Sequence, residues 1–239
     1  MRRILVTGGG SGIGRAIAQA FADDGDAVTI SGRRMEALEE TNGGRGMTCV
    51  ACDVTEEAQV AALFEDPFDV VVANAGAGTP MKLRDMPLEQ WQSIIDVNLT
   101  GTFLTFRAAL QNMQKGGRLI AMASTASLQG GPNISAYVAA KHGVLGLVRA
   151  LAQEVARDGI TCNAVCPGFV DTPMGDAAAE GVAKRFGISQ EEAVSRIVSG
   201  NPMRRMIEPA EVVAAVRFLA SSEASMVNGH ALSVSGGEI

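Results

Sequence analysis

The sequence predicts an α/β fold: a doubly wound parallel sheet with helices on both faces. Short aliphatic runs of strand character alternate with longer runs of helical period along the chain. Strands that alternate with helices pair in parallel, through right-handed crossovers that cover both faces. The length of 239 residues suits one large α/β domain. With 47% hydrophobic residues and only 4% aromatic, the core must be built from Ala, Val, Leu, Ile and Met.

RILVT (3–7) is a short aliphatic strand. GIGRAIAQAFADDG (12–25) is a helix, with Ile13, Ile17, Ala20 and Phe21 on one face and Gly25 as its stop. AVTIS (27–31) is the second strand, and RRMEALEE (33–40) a short helix. MTCVACDV (47–54) is the third strand, EEAQVAALF (56–64) a helix, and FDVVVANAG (68–76) a strand buried on both faces. Residues 87–113 read as one long helical region with a break near Asn98–Gly101. GRLIAMAS (117–124) is the fifth strand, 135–157 a long helix ended by Gly159, and TCNAVCPG (161–168) the sixth strand. EPAEVVAAVRFLAS (208–221) is a helix with Pro209 in its first turn, and GHALSVSGG (229–237) the last strand. Residues 172–208 break the rhythm. They are rich in Gly, Ala, Met and charge, with one capping-box signal, Ser189 with Glu192. They follow a strand's carboxyl end, where such sheets bind ligands, and read as a mobile substrate lid.

Charge narrows the function. Twenty basic and 26 acidic residues leave a net charge of −6, which disfavours nucleic acid as a main partner. No apolar run has membrane-spanning length, and the run after Arg2 and Arg3 is too short for a secretory signal, so a cytoplasmic location is expected. Cys49 and Cys52 form a C-x-x-C, but three residues apart in a strand they face opposite sides. With Cys162 and Cys166 they read as reduced core residues, and no metal site is expected.

TGGGSGIG (7–14) joins the first strand to the first helix. Its glycines, Gly8, Gly12 and Gly14, depart from the usual G-x-G-x-x-G spacing but meet the same need. They allow a tight turn, close approach of backbone N–H groups to a pyrophosphate, and close helix–strand packing. Ser11 and Ile13 lie in the same turn. At the end of the second strand an NAD site places an acid for the ribose hydroxyls. Here stand Ser31, Gly32, Arg33 and Arg34. A guanidinium suits a 2′-phosphate, so Arg33 favours NADP(H) over NAD(H); the alternative is a solvated helix N-terminus.

Tyr137 and Lys141 are i, i+4 on one helix face. A free phenol has a pKa of about 10, and a nearby ammonium would lower it, making a proton donor or acceptor for a carbonyl–alcohol pair. Ser124, at the ligand edge of the fifth strand, could orient the carbonyl.

Together with Asn74-Ala75-Gly76, Asn98 and Pro167-Gly168, these motifs resemble the short-chain dehydrogenase/reductase family over essentially the whole chain. The resemblance implies a single Rossmann domain over 1–239 with a seven-stranded parallel sheet. It implies a catalytic set of Asn98, Ser124, Tyr137 and Lys141. Tyr137 would be the general acid/base and Ser124 would hold the substrate oxygen. Lys141 would bind the nicotinamide ribose and lower the Tyr137 pKa, and Asn98 would hold a water of the proton relay. Asp53 and Val54 would contact adenine, Asn74 to Gly76 would line its ribose, and Thr172 would bind the carboxamide. Pro167, Gly168 and Val170 complete the implied cofactor contacts. Ala73 departs from the second Asn of many relatives, and the helix before Asn74 looks short.

The resemblance further implies a homotetramer built on helices spanning 98–115 and 135–157. The expected reaction interconverts a carbonyl and a secondary alcohol, on a 3-oxoacyl thioester or related ketone carried on coenzyme A or acyl carrier protein. Arg204 and Arg205 beside the lid would suit the carrier's phosphate, unless one of them caps carbonyls or pairs with an acid such as Glu208. The alternatives are an NAD-dependent 3-hydroxyacid or hydroxyacyl thioester dehydrogenase and, from another class, a non-catalytic nucleotide sensor.

Overall fold

A computed structural model describes residues 1–239. Its strands are β1 (Arg3–Thr7), β2 (Ala27–Gly32), β3 (Thr48–Ala51), β4 (Val70–Ala73), β5 (Arg118–Met122), β6 (Thr161–Pro167) and β7 (Ala231–Val234). They form one seven-stranded sheet in the order β3-β2-β1-β4-β5-β6-β7. Every neighbouring pair is parallel. The helices are α1 (Gly12–Asp23), α2 (Met35–Asn42), α3 (Glu57–Ala62), α4 (Leu88–Ile95), α5 (Gly101–Ala109), α6 (Ser135–Glu154), α7 (Pro173–Phe186), α8 (Gln190–Ile197) and α9 (Pro209–Ala220). None is long and apolar enough to cross a membrane.

Alternation along the strands builds two cores. Ile4, Val6, Val70, Val72, Ile120 and Met122 pack with Ile17 and Phe21 of α1 and Val212 and Val216 of α9. Leu5, Val71, Leu119 and Ala121 point the other way, onto Leu104 and Phe106 of α5 and Val144 and Val148 of α6. Each such aliphatic side chain contributes roughly 1.5–3 kcal/mol on burial. The cysteines follow the same rule. Cys49 packs on the α1 side and Cys52 in the opposite core. Burial pushes the Cys52 thiol up to about 11.

Three expectations change in detail. The helical region 87–113 is two helices joined by a π turn, Asp96–Thr100, and α5 stops at Ala109 rather than near 115. Beyond it, Asn112 Nδ2 donates to the Phe64 carbonyl, and Gly116 turns the chain at φ +92°. The next long helix, α6, ends at Glu154; a 3₁₀ turn, Ala156–Asp158, leads to Gly159 at φ +70°. The segment 172–208 is largely helical. Thr172 caps α7, and Ser189 with Glu192 forms a complete capping box on α8. Arg196 of α8 lies 4.0 Å over the Phe186 ring at the end of α7, tying the two helices together.

β1 and β4 are neighbours from which the chain winds in opposite directions across the sheet. A cleft opens at the carboxyl edge of such a switch point.

Candidate active site

Two turns meet at the switch point, the glycine turn after β1 and Asn74–Gly76 after β4. Asn74 Nδ2 donates to the carbonyls of Thr7 (3.0 Å) and Gly8 (3.2 Å). The backbone N–H groups of Asn74 and Ala75 both donate to Thr7 Oγ1. Thr7 and Asn74 therefore lock the two turns together. Gly8 at φ +66° and Gly12 at φ +52° hold left-handed backbone. A Cβ on Gly14 would collide with the Gly8 carbonyl oxygen and Asn74 Nδ2. The first turn of α1 thus presents bare backbone to the cleft, which Gly8, Ser11, Gly12, Ile13 and Gly14 line. This is the cradle a pyrophosphate needs.

Arg33, Asp53 and Val54 line the same cleft at its β2–β3 side. Arg33 is exposed and forms neither an ion pair nor a hydrogen bond in the structure. Asp53 is occupied: its Oδ1 accepts from Thr55 N (3.0 Å) and Thr55 Oγ1 (2.8 Å). Those bonds, helped by Arg33, hold its carboxyl below the usual range. The β2–β3 side of the cleft therefore carries a guanidinium with no partner beside a carboxylate that is already engaged.

Asn98, Tyr137 and Lys141 line the other end of the cleft. Asn98 sits in the π turn, one turn beyond the Ile94 carbonyl. Asn98 Nδ2 donates to that carbonyl (2.8 Å) and to the Ala77 carbonyl (2.7 Å). Its Oδ1 is buried without a partner. A Cβ on Gly76 would lie 2.8 Å from that oxygen and 3.6 Å from Lys141 Nζ, so both polar atoms border Gly76.

Lys141 is buried, and its Nζ donates to the Met122 carbonyl at 2.8 Å. Burial lowers its pKa to about 8. Tyr137 is covered by the Gly78 backbone, with Lys141 Nζ 5.5 Å from its ring centroid. Burial raises the phenol's pKa, and the Ser124 hydroxyl beside it offsets only part of that rise. This corrects the expected depression by Lys141: the ammonium faces a carbonyl, and the phenol stays neutral. Ser124 caps a 3₁₀ turn, its Oγ accepting from Ala126 N at 3.1 Å. Two hydroxyls, of Ser124 and Tyr137, thus stand together beside a lysine that titrates near neutral pH.

That lysine gives a measurable pH dependence. Between pH 8 and 10.5 the unfolded chain keeps a proton on Lys141 that the folded chain gives up. Stability rises with pH wherever the unfolded state binds more protons. Wild type should therefore gain stability relative to Lys141→Met as pH rises through that window, read from urea midpoints on either side of it. A difference that stays flat means that Lys141 is not held near 8.

The remaining residues divide. Ala75, Gly76, Pro167 and Thr172 line the cleft. Thr172 lies 3.5 Å from the position of a Cβ on Gly12, so the start of α7 reaches the glycine turn. Gly168 packs against Glu238 and Ile207. Val170 is buried in the core on the α1 side, pairs with Ile207 in a parallel bridge, and does not line the cleft. Sequence reasoning missed Ala77, Val97, Met122 and Met174, which also line it. Ala77 and Met122 act through backbone carbonyls, which leave no residue signature; Met174, exposed beside Pro173, had only its place after Thr172 as a signal. Arg205 is already engaged. It forks onto Glu211, rather than Glu208, at 2.7 and 2.6 Å, and holds that carboxyl at about 2. Arg204 has no such partner.

A family model described as enoyl-(acyl carrier protein) reductase matches residues 8–238. The chain is 37% identical to the 3-oxoacyl-[acyl-carrier-protein] reductase MabA of Mycobacterium bovis, over 99% of this chain and 92% of that protein. It is 36% identical to a D-beta-hydroxybutyrate dehydrogenase of Rhizobium meliloti, over 98% of this chain and 96% of that protein. Among solved structures, a variant actinorhodin polyketide ketoreductase with NADPH is similar at a TM-score of 0.91 and 37% identity, covering 99% of this chain and 97% of that one.

Proposed function

The chain belongs to the short-chain dehydrogenase/reductase family of oxidoreductases, and from that premise we propose that it is an NADP(H)-dependent ketoreductase acting on a 3-oxoacyl thioester or a related ketone. The observation that carries this reading is the pairing of the Ser124 and Tyr137 hydroxyls beside buried Lys141, at the opposite end of the cleft from Arg33.

Gly8, Ser11, Gly12, Ile13 and Gly14 would hold the pyrophosphate, and Asp53, Val54 and Asn74 to Gly76 the adenosine. Arg33 would take the 2′-phosphate. Pro167 and Thr172 would bound the nicotinamide. When bound, that ring supplies or accepts the hydride. Ser124 Oγ donates to the substrate carbonyl oxygen and orients it. Tyr137 Oη, kept neutral by burial, gives that oxygen a proton in reduction and takes it back in oxidation. Lys141 Nζ, with a pKa of about 8, keeps an exchangeable proton nearby. Asn98 Oδ1 offers a buried acceptor for a relay at Gly76. Residues 172–208 would act as the lid over the substrate, and α5 and α6 would pair in a homotetramer, consistent with exposed Phe103 on α5.

The thioester part draws on the acyl carrier protein in the names of the family model and of the Mycobacterium bovis relative. NADP(H) is supported by unpaired Arg33 and by the NADPH of the similar ketoreductase. The Rhizobium relative favours a second reading, an NAD-dependent 3-hydroxyacid dehydrogenase. Steady-state turnover of a ketone, a β-keto ester, a β-ketoacyl thioester and a free β-keto acid, each with NADPH and NADH, separates the two. Highest kcat/KM for the thioester with NADPH supports the first reading; preference for the free acid with NADH replaces it. A carrier phosphate would rest on Arg204 alone. Arg204→Ala should then narrow the thioester's advantage over the ester, and added salt should do the same. A ratio moved by neither leaves Arg204 with no role in carrier recognition.

A further inference from the structure

Beyond β7 the chain turns back over the carboxyl edge of the sheet. Gly236 at φ +62° and Gly237 at φ +88° make the turn. The buried Asn201 side chain packs against Gly236 and is itself fixed, donating to the Arg205 carbonyl and accepting from Met203 N. Glu238 is thereby held in place. Its Oε1 accepts from Gln129 Nε2 at 2.7 Å. Its Oε2 lies 3.0 Å from the position of a Cβ on Gly168, and its Cγ lies 3.8 Å from the same position on Gly200. No basic side chain pairs with it.

These neighbours locate the carboxylate. Gln129 follows Ser124 by five residues. Gly168 directly follows Pro167, which lines the cleft. Gly200 closes the 3₁₀ turn after α8. Because β5, β6 and β7 are adjacent, the segments after them lie side by side, on the far side of Ser124 from the glycine turn. The segment that carries this unpaired carboxylate therefore borders Ser124 on the β6–β7 side of the carboxyl edge, and the catalytic motifs do not include it.

We infer that Glu238, positioned by Gln129, is a specificity-determining residue that turns away substrates bearing a carboxylate close to the reacting carbonyl and admits neutral thioesters, esters and ketones. The inference rests on the ketoreductase reading and sharpens it. At an effective dielectric near 20, like charges closer than about 10 Å disfavour each other by roughly tenfold or more in binding. A neutral ester carries no charge for Glu238 to repel.

The test compares acetoacetate with ethyl acetoacetate in wild type and in Glu238→Gln, which can keep a hydrogen bond to Gln129 while losing the charge. The acid-to-ester ratio of kcat/KM should rise at least tenfold in the variant. High salt should raise the wild-type ratio and leave that of the variant nearly unmoved. A purely structural role would lower both substrates together and leave the ratio alone. A ratio moved less than twofold overturns the assignment. Calorimetric dissociation constants for the two compounds, measured with NADPH present, give the same ratio without turnover. They decide the role of Glu238 even where neither compound is reduced, an outcome that would count against the ketoreductase reading instead.

Discussion

Tyr137→Phe is expected to lower turnover by about 10²–10⁴, the usual contribution of a positioned general acid, while leaving folding and nucleotide affinity close to wild type. The ring lies against Gly78, with Lys141 Nζ 5.5 Å from its centroid, and phenylalanine keeps the ring in both places. The lost hydroxyl leaves behind only the Ser124 oxygen, which already accepts from Ala126 N. Removing one such hydrogen bond costs about 1 kcal/mol, a few degrees at most in a chain of this size. Three measurements separate the possibilities: kcat on the best ketone, NADPH affinity by fluorescence titration, and the thermal midpoint. A variant with near wild-type kcat would sink the proton-transfer role. Unchanged kcat with a lowered midpoint would make Tyr137 a packing residue. Because burial raises the phenol's pKa, reduction should also stay active well into the alkaline range as far as this group is concerned.

The sheet was legible because strand period and burial agree along the chain. Leu5 and Val6 alternate between the two cores as period two requires, and so do Val71 and Val72. The glycine turn was legible because only glycine tolerates the backbone at Gly8 and Gly12, or the contact at Gly14. The π turn was only half visible. Asp96–Thr100 reads as ordinary helix in composition, and a one-residue slip in period hardly disturbs the apolar pattern. What marked it was Asn98, a polar residue on a buried face. The direction of the Tyr137 shift was not legible at all. The i, i+4 spacing puts the phenol and ammonium on one face, but the ammonium's partner is the Met122 carbonyl, brought in from β5. Glu238 was invisible for the same kind of reason. Its neighbours, Gln129, Gly168 and Gly200, come from three other segments, and only the folded sheet places them together.

Arg33→Asp should reverse the cofactor preference, moving the NADPH-to-NADH ratio of kcat/KM by about a hundredfold or more. Two effects act in the same direction. Charged hydrogen bonds to phosphate contribute about 1.5–3 kcal/mol, so losing them should raise the NADPH Michaelis constant at least tenfold. The new carboxylate repels a 2′-phosphate and accepts from the ribose hydroxyls of NADH. The structure makes this a clean change for the fold, since Arg33 is exposed and no hydrogen bond or ion pair is lost with it. Its charge acts on Asp53, whose carboxyl is held low chiefly by Thr55 and only secondarily by Arg33. A small fall in thermal midpoint, from the new carboxylate facing that of Asp53, is the most the fold should show. Arg33→Ala separates the two effects: it should weaken NADPH without improving NADH. Kinetics with both cofactors across the three proteins decide the matter. If wild type already prefers NADH, or if the aspartate variant leaves the ratio where it was, Arg33 is a solvated residue at the start of α2, and the cofactor assignment passes to the NAD-dependent reading.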